Sequence, residues 1–337
     1  NGINYLKLRL GYGTSANFGD MGYPIANTLF LDTQDSQDAT GSSVVTNTSG
    51  QTLGNPDLKP ELLKEYEIGI EGKFLDNRIN LDLSVYNRIT EDLIINRPLD
   101  PATGYTSTRT NVGEIQNEGL ELDLGVEFIR SDNKGFTWTA NLNFNTYESE
   151  VTDLGLDTDV VIYSGFSNLG NAAIKGEPLG VLYGGRVARD ENGTPIIGTD
   201  GWYVDDPQDG IIGDPNPDWV TNLRNTISYK NFTLGFSFNY TQGGDIYSST
   251  ISTLLGRGLI PETNNREFTY IIPGVDVNGN PNTIQINNSD YYFQNILFGP
   301  NEYQVYDAST IRLQEASLSY NMPSEFLKTT PFGSLSF

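Results

Sequence analysis

Residues 65–87, EYEIGIEGKFLDNRINLDLSVYN, alternate between oily and polar side chains almost without a break. Tyr66, Ile68, Ile70 and Phe74 share one face, and Glu65, Glu67, Gly69, Glu71 and Lys73 share the other. After the turn Leu75-Asp76-Asn77-Arg78, Ile79, Leu81, Leu83 and Val85 resume the oily face against Asn80, Asp82, Ser84 and Tyr86. A period of two belongs to strands, so this is a β-hairpin with one apolar and one strongly polar face. Its apolar face needs a partner, either a second sheet or lipid.

The same patterning predicts strands over 3–12, 64–74, 78–90, 117–130, 136–150, 219–229, 232–242, 306–320 and from 332 onward. The connections between them alternate in length. Residues 13–63, 91–116, 151–218 and 243–305 are long, 321–331 is moderate, and 75–78, 130–135 and 230–231 are short. Structureless loops beyond ~15 residues are uncommon in compact domains. A sandwich has no reason to place its long loops at one end so regularly. A transmembrane barrel does, because short turns face the periplasm and long loops face outside. The alternation survives if 151–218 contributes either no spanning strand or two. The segments 178–189 and 196–204, flanking the turn signal Asn192-Gly193, are candidates for two, which gives about nine to eleven strands.

The hairpin 219–242 supplies a length test. With Lys230-Asn231 as the turn, Tyr229 pairs with Phe232, Ile227 with Leu234, Leu223 with Phe238 and Thr221 with Tyr240, all on one face. Trp219 to Tyr229 extends roughly 33 Å, and a tilt of ~40° brings this to about 25 Å, the height of an outer-membrane apolar band. One local irregularity stands out near the end. Ile311 and Leu313 fall on one face while Ala316, Leu318 and Tyr320 fall on the other, and a β-bulge near Gln314-Glu315 would reconcile them.

Composition narrows the function. The 337 residues include no histidine and no cysteine, so this chain alone builds no Ser-His-Asp triad, no papain-like pair, no His-built zinc site and no disulfide. No apolar run approaches the ~18 residues of a membrane-spanning helix, which leaves a barrel open. A net charge of −23 argues against nucleic acid. No targeting segment is visible, and both ends read as cuts through a larger protein.

Residues 54–94, GNPDLKPELLKEYEIGIEGKFLDNRINLDLSVYNRITEDLI, resemble a barrel segment of the SusC/RagA-type TonB-dependent outer-membrane transporters. So do GEIQNEGLELDLGVEF (113–128), GEPLGVLYGG (176–185), DGIIGDPNPDWVTNLRNTISYKNFTLGF (209–236), QGGDIY (242–247) and YDASTIRLQEASLSYNMP (306–323), in the family's order and over nearly the whole chain. The resemblance implies a barrel of about 22 strands with a plugged lumen. It also implies a plug segment that contacts TonB, a SusD-like lipoprotein over the barrel mouth, and import of oligosaccharides or peptides in a Bacteroidota-like cell. Residues 1–337 would then be a partial barrel domain, about half the strands, with the plug and the remaining strands absent from this chain.

Three groups of residues invite chemistry. In DDPQDGIIGDPN (205–216), Asp205, Asp209 and Gly210 occupy positions 1, 5 and 6 of a calcium loop, but Pro207 and Asn216 replace two ligands. Asp205 and Asp209 are therefore a partial calcium site, competing with an ordinary acidic surface loop; Glu191 and Asp200 lie nearby in sequence. Glu121, Asp123 and Glu127 share the polar side of their strand; paired carboxylates serve glycoside hydrolysis, whereas a solvated lumen face needs the same residues. The loop aromatics Trp202, Tyr203, Tyr291 and Tyr292, with Tyr163, Phe166, Phe268, Tyr270 and Phe293, suit sugar stacking, a lid protein or the loops' own cores.

The reading is an all-β chain: an antiparallel transmembrane barrel wall with long extracellular loops and short periplasmic turns, in contact with outer-membrane lipid. Its function would be nutrient import rather than catalysis, with no obligatory cofactor. The alternative of another class is a soluble or surface β-sandwich that binds glycan or host protein. An outer-membrane barrel enzyme is a further alternative, disfavoured by the absent histidine.

Overall fold

The computed structural model describes residues 2–17, 25–27, 29–37, 43–131, 135–155, 158–166 and 168–337. The period-two segments become eight long strands: β1 (Ile3–Asn17), β2 (Glu61–Phe74), β3 (Ile79–Pro98), β4 (Ser107–Ile129), β5 (Phe136–Asp153), β6 (Trp219–Tyr229), β7 (Phe232–Gln242) and β8 (Thr310–Tyr320). They form one antiparallel sheet in which spatial order equals chain order. Up-and-down order follows from short turns, which can join only neighbours.

The register keeps the faces apart. Ile68 lies opposite Leu10 and Val85, while Glu71 lies opposite Lys7 and Asp82. The turn after β2 places Leu75, Asp76 and Asn77 at φ 53°, 56° and 63° and closes with Arg78 N–H donating to Leu75 O at 3.2 Å. The β6–β7 hairpin pairs Tyr229 with Phe232 and Thr221 with Tyr240, with Lys230 in the left-handed region at φ 54°. The bulge falls where the sequence places it. Ser237 faces Glu315 and Phe238 faces Leu313, so Gln314 is the extra residue, and Ile311, Leu313, Ala316 and Leu318 all reach the apolar side.

No second sheet covers that side among the described residues. Leu10, Ile68, Leu234 and Leu318 are 75%, 52%, 40% and 68% exposed. Aromatics mark both margins: Phe128 with Trp138 (4.5 Å) and Phe232 with Tyr320 (4.8 Å) by the short turns, Tyr12 with Tyr66 (4.9 Å) and Trp219 with Tyr240 (4.7 Å) at the far end. Polar groups on this face are satisfied locally. Trp138 Nε1–H donates to the buried Asn225 Oδ1 at 3.0 Å, and Thr221 Oγ1–H donates to the Asn143 carbonyl at 2.8 Å. In hydrocarbon no water would do this for them.

Three expectations need correction. Strands β3, β4 and β5 run well past the predicted ends at 90, 117 and 150, to Pro98, back to Ser107 and on to Asp153. The segments 178–189 and 196–204 are not wall strands. Val181–Gly184 joins a separate four-stranded sheet with Val160–Phe166, Leu169–Ile174 and Gly210–Gly213, and the rest forms only isolated bridges. Each piece is shorter than the ~9–11 residues a spanning strand needs. From 332 onward there is one isolated bridge, Asn321 with Ser336, although Phe337 exchanges backbone hydrogen bonds with Tyr320. In the short link 130–135, residues 132–134 lie outside the described residues.

Candidate functional site

Two features offer binding surface: the polar face of the sheet and the folded long loops. On the polar face one side chain from each strand falls into a continuous row, Lys7–Glu71–Asp82–Asp123–Asn143–Asn222–Asn239–Arg312, each opposite the next. Like charges directly opposite, such as Asp82 and Asp123, destabilise a sheet unless they are compensated. Arg9 supplies the compensation for Asp82, donating to its two carboxylate oxygens at 2.8 and 2.6 Å and to Ser84 Oγ at 3.1 Å. Gly69 makes room: a Cβ there would stand 2.8 Å from Arg9 Nη2. Asp123 accepts from Asn143 Nδ2, and Glu127 is paired with Arg130 at 2.5 Å. Glu121, Asp123 and Glu127 therefore belong to the polar lining, two of them already engaged.

The long loops are folded. Above Asp92, at φ 54° and near Gly113, the alternation in β3 and β4 breaks. Ile95, Val112, Ile115, Val151, Leu154, Val161 and Ala173 then close a core, with Leu93, Tyr163 and Leu179 packed on it. The four-stranded sheet is thereby fastened to the top of the wall. Asn216 adds a node: its amide donates to Leu179 O (3.1 Å) and Asp214 Oδ1 (2.7 Å), and its oxygen accepts from Tyr147 on β5 (3.2 Å).

Residues 185–205 and 270–304 form a second body. Ile197, Ile272 and Ile286 are its core, with Trp202, Tyr203, Tyr270 and Tyr291 packed around them. Glu302 clasps the two segments, accepting from Val187 N–H (2.9 Å) and from both terminal nitrogens of Arg189 (3.1 and 2.5 Å). Tyr203 stacks on Tyr303 at 4.3 Å, and its N–H donates to the buried Asn295 Oδ1 at 2.8 Å. Burial pushes the Tyr291 hydroxyl up to about 12 and raises that of Tyr203, which Tyr303 raises further.

The structure thus gathers Trp202, Tyr203 and Tyr291 into one core, with Tyr292 edge-on to Tyr291 at 5.0 Å, rather than spreading them over a surface. Phe166, 73% exposed, does present itself, beside Ile246 and Tyr247 in a groove. Asp205 and Asp209 are exposed; Asp205 bridges to Val187 through its backbone, and the Asp209 carbonyl accepts from the Tyr183 hydroxyl at 3.1 Å. Among the described residues no three Asp, Glu, His or Cys side chains gather as a metal-binding group. Arg9, Arg189, Asn216, Asn295 and Glu302 escape sequence reasoning, because each acts across tens of residues and carries no local signal.

Comparison with known proteins agrees with this geometry. Residues 2–204, more than half of the chain, match the family described as TonB dependent receptor-like, beta-barrel. TonB-dependent receptor P26 of Formosa agariphila is 29% identical over 94% of this chain and 33% of its own length. TonB-dependent receptor SusC of Bacteroides thetaiotaomicron is 28% identical over 75% of this chain and 26% of its own. The chain thus spans about a third or less of these curated relatives. The RagAB peptide transporter structure superposes on all of this chain with a TM-score of 0.70 at 20% identity, covering 36% of that chain, which speaks for the fold. The chain belongs to the TonB-dependent receptor-like β-barrel family, and its eight strands are part of an outer-membrane barrel wall.

Proposed function

We propose that this chain is the wall and loop section of an importer that carries large nutrients, oligosaccharides or peptides, across the outer membrane. A plug outside this chain would couple it to TonB, and a SusD-like lipoprotein would sit over its long loops. The observation that carries the reading is the two-faced wall: an exposed apolar face, an unbroken polar row on the other, and the long folded loops gathered at one margin. The relatives named as TonB-dependent receptors support it, and the match to RagAB supports the barrel geometry it requires. The reading needs no bond chemistry; specificity resides in loops and lumen. Deleting the parent gene should abolish energy-dependent uptake of one class of oligosaccharide or peptide and leave uptake of small solutes unchanged. Undiminished uptake of every such polymer would refute it.

A further inference from the structure

The loop sheet fills the space beneath it on one side only. Leu169, Asn171 and Ala173 share one face of the strand Leu169–Ile174. Ala173 enters the core that fastens this sheet to β3–β5. Leu169 and Asn171 instead line a groove of about 400 Å3, together with Pro215 and the short strand Asp245–Tyr247 that follows β7. Gly243 and Gly244, at φ 74° and 78°, steer that strand away from the wall. A Cβ would stand 2.6 Å from the Asp218 carboxylate at the first and 3.0 Å from Pro215 O at the second. Phe166 and Ile246 line the groove and remain 73% and 53% exposed. Its polar atoms are one-sided. Asp245 is the one charged residue among the described residues that line it. One Asp245 oxygen accepts from Asp214 N–H at 2.9 Å, and the other has no partner among the described residues. Asn171 donates its amide to the Gly180 carbonyl at 2.9 Å, and its oxygen has no partner among them either. The Tyr247 hydroxyl is engaged with Gln304 Oε1 at 2.8 Å.

We propose that this groove is a binding site for a small apolar amine, a ring or branched hydrocarbon body that carries one ammonium group. The site lies in the loop layer, apart from the polar row of the wall, and does not depend on the importer reading. An ammonium donates and never accepts, which suits a carboxylate oxygen and an amide oxygen that both lack a donor. The hydrocarbon body would cover Phe166, Leu169, Leu182 and Ile246, and so take apolar surface out of water. A carboxylate ligand would meet Asp245 as a like charge. A sugar needs donors as well as acceptors, and among the described residues of the groove Ser164 has the one side-chain hydroxyl left to donate.

The test is equilibrium dialysis of the purified full-length parent in detergent, with micelles alone as the blank. Radiolabelled tryptamine is the probe, and indole-3-propionate presents the same ring body with the opposite charge. Tryptamine should saturate a single site with about millimolar affinity, as a small ligand in an open groove does. Indole-3-propionate should bind at least about tenfold more weakly. Asp245→Asn keeps an oxygen for Asp214 N–H and removes the charge. It should weaken tryptamine by about tenfold, the loss of one charge-assisted hydrogen bond, and erase the preference between the probes. Ser164→Trp places a ring of the protein's own in the groove and should abolish binding of both. Unchanged heat-modifiable gel mobility shows that a variant is folded, and the two probes on the parent decide the case even where a variant is not. No saturable binding of tryptamine to the folded parent, equal binding of the two probes, or tryptamine affinity that survives either substitution in a folded variant would overturn the proposal.

Discussion

Strands β3, β4 and β5 pass through two environments, and the contrast is informative. Below Asp92 their apolar side chains, Val85 among them, stand open on one face; above it Ile95, Val112 and Val151 are 7%, 2% and 1% exposed. Both stretches are antiparallel strand with similar apolar residues, joined where Asp92 and Gly113 interrupt the pairing. What changes is the partner: a second protein layer covers the upper stretch, and no protein covers the lower one among the described residues. An exposed apolar face on this scale marks a membrane or partner surface, and the buried upper stretch shows what the same strands do when protein is at hand.

The folded loops and the tight turns should lie on opposite sides of the membrane. In the intact parent, single cysteines at Asp206 and Asn280, on the folded loops, should react with a membrane-impermeant thiol reagent on whole cells. Cysteines at Asn77 and Asn231, in the tight turns, should not. Labelling at the turns and silence at the loops would invert the barrel and detach the loops from capture.

Core deletion should separate the two stretches next. Ile115→Ala, in the upper core, should cost about 2–5 kcal/mol, since it leaves a cavity among packed side chains. Ile70→Ala, on the lipid face, should cost about 0.5 kcal/mol, because lipid closes around the smaller side chain. Denaturant titration of the refolded parent in detergent or lipid measures both, and equal losses would mean that the lower face is packed against protein.

A charge probes the same distinction from the other side. Ile70→Arg should destabilise by ~2–4 kcal/mol near mid-bilayer, whereas Thr226→Arg, on the polar face, should change stability little. Parity between them would remove the case for lipid.

The lower stretch was legible in the sequence because its rules are local. A two-residue period, a turn at Lys230-Asn231 and one slipped residue at Gln314 suffice to set faces and register, and pairings such as Leu223 with Phe238 follow by counting. The upper stretch was not. Asp92 in a left-handed conformation breaks the period that pattern reading depends on, so 91–98 and 107–116 pass for loop. Beyond it the deciding contacts are long-range: Glu302 with Arg189, Tyr203 with Asn295, Asn216 with Tyr147. For Trp202, Tyr203 and Tyr291 the sequence left sugar stacking, a lid contact and a loop core equally open, because nothing local states that residues 203 and 291 meet.

The gentlest perturbation is alkaline pH, which should act on the loops and spare the wall. Tyr203 and Tyr291 are held neutral by burial, their folded-state ionisation raised above the ordinary value, to about 12 for Tyr291. In the unfolded chain each would ionise near 10. A phenol raised in this way contributes stability that is fully present below about 10 and is lost as pH climbs through about 12. The body made of 185–205 and 270–304 should therefore loosen over that window, while β1–β8 keep their hydrogen bonds. Amide exchange read by mass spectrometry resolves the two regions: Tyr203→Phe and Tyr291→Phe should flatten the pH dependence of the loop peptides, since phenylalanine has nothing to ionise. If the wall peptides open first, or if both variants keep the full alkaline response, then the aromatic core is not what ties the two loops together.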